Sequence, residues 1–166
     1  MIPINFSDLS ILIVDDSVPM LAILRECLRA FGAKKIHETR EATEAFEIIQ
    51  ANTIDLVIVD YRMAPLDGLE FTKILRRSKN KNDKQIPIIL LTAYSERQRV
   101  LSARDAGVTD FLTKPISAAS LHDRIISVIT SSREFIDTTK FSGPDRRRRT
   151  DDDIVGGEQD RRSSAR

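Results

Sequence analysis

Five short strand-like runs, three of them wholly or almost wholly apolar and all separated by amphipathic stretches, constrain the fold of this chain more than any other feature of it. Leu9–Val14, Ile54–Val59 and Ile86–Leu91 are dominated by isoleucine, leucine and valine. Runs of that composition and length are strands covered on both faces. Residues 34–39 and 109–112 read as two more polar strands. Between them, Val18, Leu21, Leu24, Leu28 and Phe31 recur at helical spacing behind Ser17, a residue suited to cap a helix, and stop at Gly32. Helices are predicted in the same way over 41–51 (Ala42, Ala45, Phe46, Ile49), 66–78 (Leu69, Ile74, Leu75) and 95–106, the last closed by Gly107. A fifth follows Ser117, with Leu121, Ile125, Val128 and Ile129 on one face. Residues 80–85 read as a polar loop. Strands and helices in strict alternation demand an α/β fold: a five-stranded parallel sheet with helices on both faces and right-handed crossovers.

Composition removes several classes of function. No apolar run approaches the roughly 18 residues that a membrane-spanning helix needs. The start, Met1-Ile2-Pro3-Ile4-Asn5, has neither the basic nor the apolar region of a secretory signal, so a cytoplasmic location is expected. One cysteine (Cys27) and two histidines (His37, His122) leave no material for a disulfide framework or a zinc site. The formal charge is +1, with no basic field over residues 1–137 that would favour nucleic acid.

The informative residues close the strands. Asp15 and Asp16 follow the first, Asp60 the third, Thr92 the fourth, and Lys114 the fifth. In a doubly wound parallel sheet these ends share one edge, and ligands bind where the strand order reverses. Strands one and three flank that point, which brings three carboxylates together. Such carboxylates repel unless cations sit among them. Lys114 supplies one positive charge, and an all-oxygen ligand set without His or Cys favours Mg2+ for the rest. The chemistry this points to is phosphoryl transfer onto a carboxylate. Asp60 is the nucleophile, Mg2+ and Lys114 neutralise the phosphoryl oxygens, and the Thr92 hydroxyl bonds one of them.

Taken in order, Ile13-Val14-Asp15-Asp16, Asp60 with Met63, Asp67-Gly68, Thr92-Ala93 and Lys114-Pro115 resemble the response-regulator receiver domain of two-component signalling, over roughly residues 8–135. The resemblance implies a CheY-like, flavodoxin-like sheet in the order 2-1-3-4-5. It implies Asp60 as phosphoacceptor and Asp16, Asp60 and the backbone carbonyl of Arg62 as Mg2+ ligands, with Asp15 helping through water. It also implies Lys114 as the phosphate-pairing lysine, Thr92 and Phe111 as a switch pair, and a cis Lys114–Pro115 peptide. The expected phosphodonor is a sensor histidine kinase or a histidine phosphotransfer protein. Output is expected through protein contacts on the face of the fourth helix, fifth strand and fifth helix; a homodimer is left open. The chain departs from the family in Asp60-Tyr61-Arg62-Met63-Ala64-Pro65, where the proline comes one place late. Arg62 and Tyr94 are bulky at the two positions flanking the attacking water, and are expected to shield the acyl phosphate and prolong its life.

Two enzyme-like alternatives fit less well. An aspartyl-phosphate hydrolase needs a second catalytic Asp where Arg62 stands, and a flavin carrier needs a phosphate-cradling loop where Asp15-Asp16 would repel it. The chain is therefore read as a signalling protein and not an enzyme, with residues 1–137 as receiver. Residues 138–166 are read as a charged tail, flexible or docked, too short for an output domain. That tail holds Arg146–Arg149 and then Asp151–Asp153. A partner-binding or nucleic-acid role for it, or a role for the protein as a phosphate sink, is the alternative, although the acidic run argues against nucleic acid.

Overall fold

Alternate residues of each central strand point to opposite sides of one sheet, and both sides are covered. In the computed structural model, which describes residues 3–93, 100–131, 135–137 and 142–144, β1 (Ser10–Val14), β2 (Lys35–Thr39), β3 (Leu56–Asp60), β4 (Ile88–Ala93) and β5 (Asp110–Lys114) pair in parallel in the order β2-β1-β3-β4-β5. This is the order the resemblance implies. Ile11, Ile13, Leu56, Ile58, Ile89 and Leu91 face α1 (Val18–Ala30) and the C-terminal helix, Ala118–Thr130. Leu12, Val14, Val57, Val59, Ile88 and Leu90 face α2 (Ala42–Ala51), α3 (Gly68–Arg76) and the helix Val100–Ala106. The two half-cores explain why the central strands read as unbroken apolar runs: each has no solvent side.

Helix boundaries follow local chemistry. The Ser17 side chain accepts a hydrogen bond from Met20 N at the start of α1, and Gly32 takes φ +99° just past its end. The helix predicted from residue 66 starts instead at Gly68, because Asp67 and Glu70 form a reciprocal capping box there. The expected loop 80–85 contains a helical turn, α4 (Lys81–Lys84), since the Asn80 side chain accepts from Asn82 N and Asp83 N. The fourth predicted helix is accordingly α5 (Val100–Ala106), with residues 95–99 outside the described set, and the fifth is α6 (Ala118–Thr130). Ser117 caps α6 with Ser120 as its partner.

Two apolar positions depart from expectation. Val18, in the first turn of α1, is 57% exposed, and Ile74 of α3 is 48% exposed. The buried stripe of α3 runs through Gly68, Leu69, Phe71, Thr72, Leu75 and Arg76. Ile74 lies about 100° around the helix from Leu75 and points away from it. Arg76, the charged member of that stripe, takes a place the sequence reading did not give it.

Beyond α6, β6 (Phe135–Asp137) and β7 (Ser142–Pro144) form an antiparallel pair of their own. Residues 142–144 belong to the stretch read as a tail. The rest of that stretch, Arg146–Arg149 included, lies outside the described residues, as does Tyr94. Among the described residues no helix is long and apolar enough to cross a membrane.

Candidate functional site

The C-terminal ends of β1, β3 and β5 deliver the polar residues, and the register decides where they meet. Val14 pairs with Val59 across β1 and β3, so Asp15, just past β1, and Asp60, the last residue of β3, emerge side by side. One carboxylate oxygen from each of Asp15, Asp16 and Asp60 lies within 4.8 Å of the others. Lys114 Nζ stands 2.7 Å from Asp60 Oδ1 and 3.6 Å from Asp15 Oδ2. The structure thus gathers four of the sequence-predicted residues into one cluster.

Hydrogen bonds that involve the backbone hold this cluster in place. Ser17 N donates to Asp15 Oδ1 at 2.9 Å, and Asp15 N donates to Thr39 O. Arg40 Nε donates to Asp16 O at 3.1 Å, which ties the second aspartate's backbone to the loop after β2. Asp15 is fully buried, Asp60 nearly so, and Asp16 is exposed. The cluster is therefore open on the Asp16 side.

Burial dominates the electrostatics. It raises the Asp15 carboxyl above the ordinary range; the Ser17 N–H offsets part of this, and the neighbouring Asp60 charge adds to it. Burial likewise raises Asp60, against the hydrogen bond and charge of Lys114. For Lys114, burial alone would lower the pKa, but the hydrogen bond and charge of Asp60, together with Asp15, hold the ammonium above its ordinary value.

Among the described residues one lysine faces three carboxylates, and buried Asp15 Oδ2 has only the 3.6 Å approach of Lys114, beyond hydrogen-bond reach. A buried carboxylate oxygen in that condition costs on the order of a few kcal/mol. Hard oxygen donors that converge, carry excess negative charge and include an orphaned atom suit a small divalent cation. These residues fit Mg2+.

Other predicted residues lie around the cluster. Thr92 is buried on β4, paired with Thr113 of β5. Phe111 of β5 pairs with Leu90 and is partly buried against the α2–α3–α5 half-core. The Arg62 side chain is exposed and Met63 beside it is buried. The Lys114–Pro115 peptide is cis, as the resemblance implies, and so is Ala64–Pro65, in the loop where the proline comes late.

Sequence reasoning cited Gly68 as part of a pattern without a physical reason for it. The reason is space: a Cβ at Gly68 would lie 2.5 Å from Asp60 O and 2.7 Å from Leu90 Cδ1. Gly68 N also donates to Tyr61 O at 2.9 Å, so α3 abuts the backbone that carries the nucleophile candidate. Gly68→Ala is expected to destabilise the fold by about 1–3 kcal/mol through overpacking. Because the displaced atom belongs to Asp60, it should also weaken Mg2+ binding. Urea midpoints with and without Mg2+ check both effects; a midpoint equal to that of the native chain would show that the Asp60 backbone yields freely.

Comparison with known proteins agrees with this geometry. The family described as response regulator receiver domain matches residues 11–126. The cyclic di-GMP phosphodiesterase response regulator RpfG of Xanthomonas campestris is 36% identical over 122 residues, which are 73% of this chain and 32% of that protein. Chemotaxis protein CheY-3 of Vibrio cholerae is 29% identical over 118 residues, 71% of this chain and 89% of that one. The chain thus spans about a third of the length of the first relative and most of the second. Among solved structures, the receiver domain of a sensor histidine kinase from Pseudomonas aeruginosa, with a magnesium ion coordinated in its active site cleft, superposes with a TM-score of 0.66 at 27% identity. It covers 74% of this chain and 98% of its own.

Proposed function

Because the chain belongs to the response regulator receiver domain family, we propose that it accepts a phosphoryl group on Asp60 from a histidine kinase or phosphotransfer protein and signals by protein contact. The observation that carries this reading is the cluster itself: a nearly buried Asp60 carboxylate 2.7 Å from Lys114 Nζ, with the oxygens of Asp15 and Asp16 converging beside it.

Asp16, Asp60 and the Arg62 backbone carbonyl would hold the Mg2+, with Asp15 assisting them. When bound, the ion neutralises negative charge on the phosphoryl oxygens. The chain's own groups do the rest. An Asp60 carboxylate oxygen bonds to phosphorus as the bond from phosphorus to the donor's imidazole nitrogen breaks. The electron pair of that bond stays with the donor. Lys114 leaves its bond to Asp60 free to pair with a phosphoryl oxygen, and the Thr92 hydroxyl donates to another.

The added charge then biases a two-state element. Thr92 moves toward the phosphoryl group, and Phe111, already partly buried beside Leu90, turns inward to fill the space. Phe111 has no hydroxyl, so this movement acts through packing alone. The altered surface of α5, β5 and α6 is the one that a downstream protein reads. Arg62, exposed and two residues after Asp60 in the chain, shields the acyl phosphate from water.

Incubation of the purified chain with acetyl phosphate and Mg2+, followed by intact-mass measurement and reductive trapping of the acyl phosphate, tests the reading. One phosphoryl group is expected, located on Asp60 and absent when EDTA replaces Mg2+. No mass gain, or a gain on another residue, would overturn it.

A further inference from the structure

The sheet edge opposite Asp60 carries a second construction that phosphoryl chemistry does not use. Helices run antiparallel to the strands they follow, so the C-terminal ends of α3 and α5 meet near the start of β4 and β5. Arg76, the last residue of α3, is 1% exposed. Its Nε donates to Gly107 O at 2.9 Å, and its Nη1 donates to Lys84 O at 2.8 Å and Ile86 O at 2.7 Å. One side chain thus joins the ends of α4 and α5 and the approach to β4.

β7 lies on this junction. Ser142 Oγ donates to the backbone carbonyl of Arg76 at 2.8 Å, and Gly143 is buried. Gly107, at φ +96°, closes α5 directly under it: a Cβ there would fall inside contact distance of Ser142 O and lie 2.9 Å from Arg76 Cγ. Two reasons therefore select glycine at 107, its left-handed backbone and the passage of β7 over it. β6 presents β7 in register, with Asp137 opposite Ser142, Ile136 opposite Gly143 and Phe135 opposite Pro144.

We propose that Ser142-Gly143-Pro144 is a clasp, an intramolecular ligand of the α3–α5 junction, which fastens the C-terminal segment to the receiver and secures the end of α5. The occupant of this surface is the chain's own strand, and its recognition elements are the Arg76 carbonyl and the side-chain-free face of Gly107. The receiver unit then extends beyond residue 137, at least as far as Pro144.

Two shortened chains separate the clasp from the charged residues beyond it, one stopping after Pro144 and the other after Asp137. The first is expected to melt within about 1 °C of the full chain, and the second at least about 5 °C lower. In the second, the amides of Gly107 and Val108, which donate to Arg104 O and Ala103 O, should exchange about tenfold faster or more. Equal melting and equal exchange in the two shortened chains would overturn the proposal. Ser142→Ala in the full chain gives an independent reading should the shorter chain not fold. About threefold faster exchange at Gly107 and Val108 is expected from the lost hydrogen bond, and unchanged exchange counts against the clasp. Phosphorylation by acetyl phosphate should persist in every variant, because Asp60 is at the other edge. A chain that never takes up phosphate would refute the proposed function and leave these stability differences intact.

Discussion

Asp60→Asn is expected to take up no phosphoryl group from acetyl phosphate and, in the absence of metal, to be more stable than the native chain. The two effects have one cause. The Asp60 carboxylate is nearly buried beside two more acids, and burial raises its pKa, as it does that of Asp15. A carboxyl whose folded pKa exceeds its unfolded value binds more protons in the fold than in the unfolded chain. Its contribution to stability is complete below the unfolded value of 3.8 and is lost as pH rises through the folded one. Above that range both acids therefore count against the metal-free fold. Asparagine keeps the shape and an acceptor for Lys114 but carries no charge. A gain of about 1 kcal/mol in EDTA, read from the urea midpoint at pH 7, is expected. The native chain should in turn gain more from Mg2+ at pH 7 than near pH 4, where protons compete for the same oxygens, and the variant should gain less than the native chain at either pH. Lys114 has the opposite sign: its raised pKa means its contribution is complete below 10.5 and is lost as pH rises through its folded value. A variant that is less stable than the native chain in EDTA would show that the bond to Lys114 outweighs the burial of the charge. Any phosphoryl uptake by it would dismiss Asp60 as the acceptor.

Arg76→Ala should be the most damaging single change outside the acidic cluster, at about 3–5 kcal/mol. The substitution does three things together. It leaves the carbonyls of Gly107, Lys84 and Ile86 without the donor they now have, and those of Gly107 and Ile86 are buried away from water. It opens a cavity between α3, α4 and α5. It also loosens the floor on which Ser142 and Gly107 meet. Burial pulls the pKa of Arg76 down to about 9, which still leaves the guanidinium charged at neutral pH and able to serve three carbonyls. Arg76→Met, which restores most of the volume but none of the donors, is expected to recover less than half of the loss. Full recovery in the methionine variant would mean that packing, not hydrogen bonding, is what Arg76 provides. Equilibrium urea unfolding of the three proteins decides this.

The fold was legible because its signal is repeated and strong. Ile11, Leu12, Ile13 and Val14 are apolar on both sides of one strand, a pattern that only a sheet between two helical layers accommodates. Strand-ending acids were legible for the same reason: once the strands are parallel, Asp15 and Asp60 must emerge at one edge. Ile74 was misread because an apolar side chain next to an apolar face resembles a member of it. Arg76 was invisible for the converse reason: a charged residue at a helix end reads as solvated, and nothing local announces three carbonyls arriving from residues 84, 86 and 107. Gly68 and Gly107 likewise owe their identity to backbone that approaches from elsewhere in the chain.

By itself, then, the sequence determined the layer order and the sheet edge at which Asp15, Asp16, Asp60 and Lys114 gather, because periodicity and strand ends are local properties that a parallel sheet converts into position. Only the tertiary structure decided that Asp15 keeps one oxygen without a donor, that Gly68 leaves room for the Asp60 backbone, and that residues 142–144 lie over Gly107 and Arg76. Those are meetings of atoms distant along the chain, set by packing at ångström scale, and no local pattern encodes them.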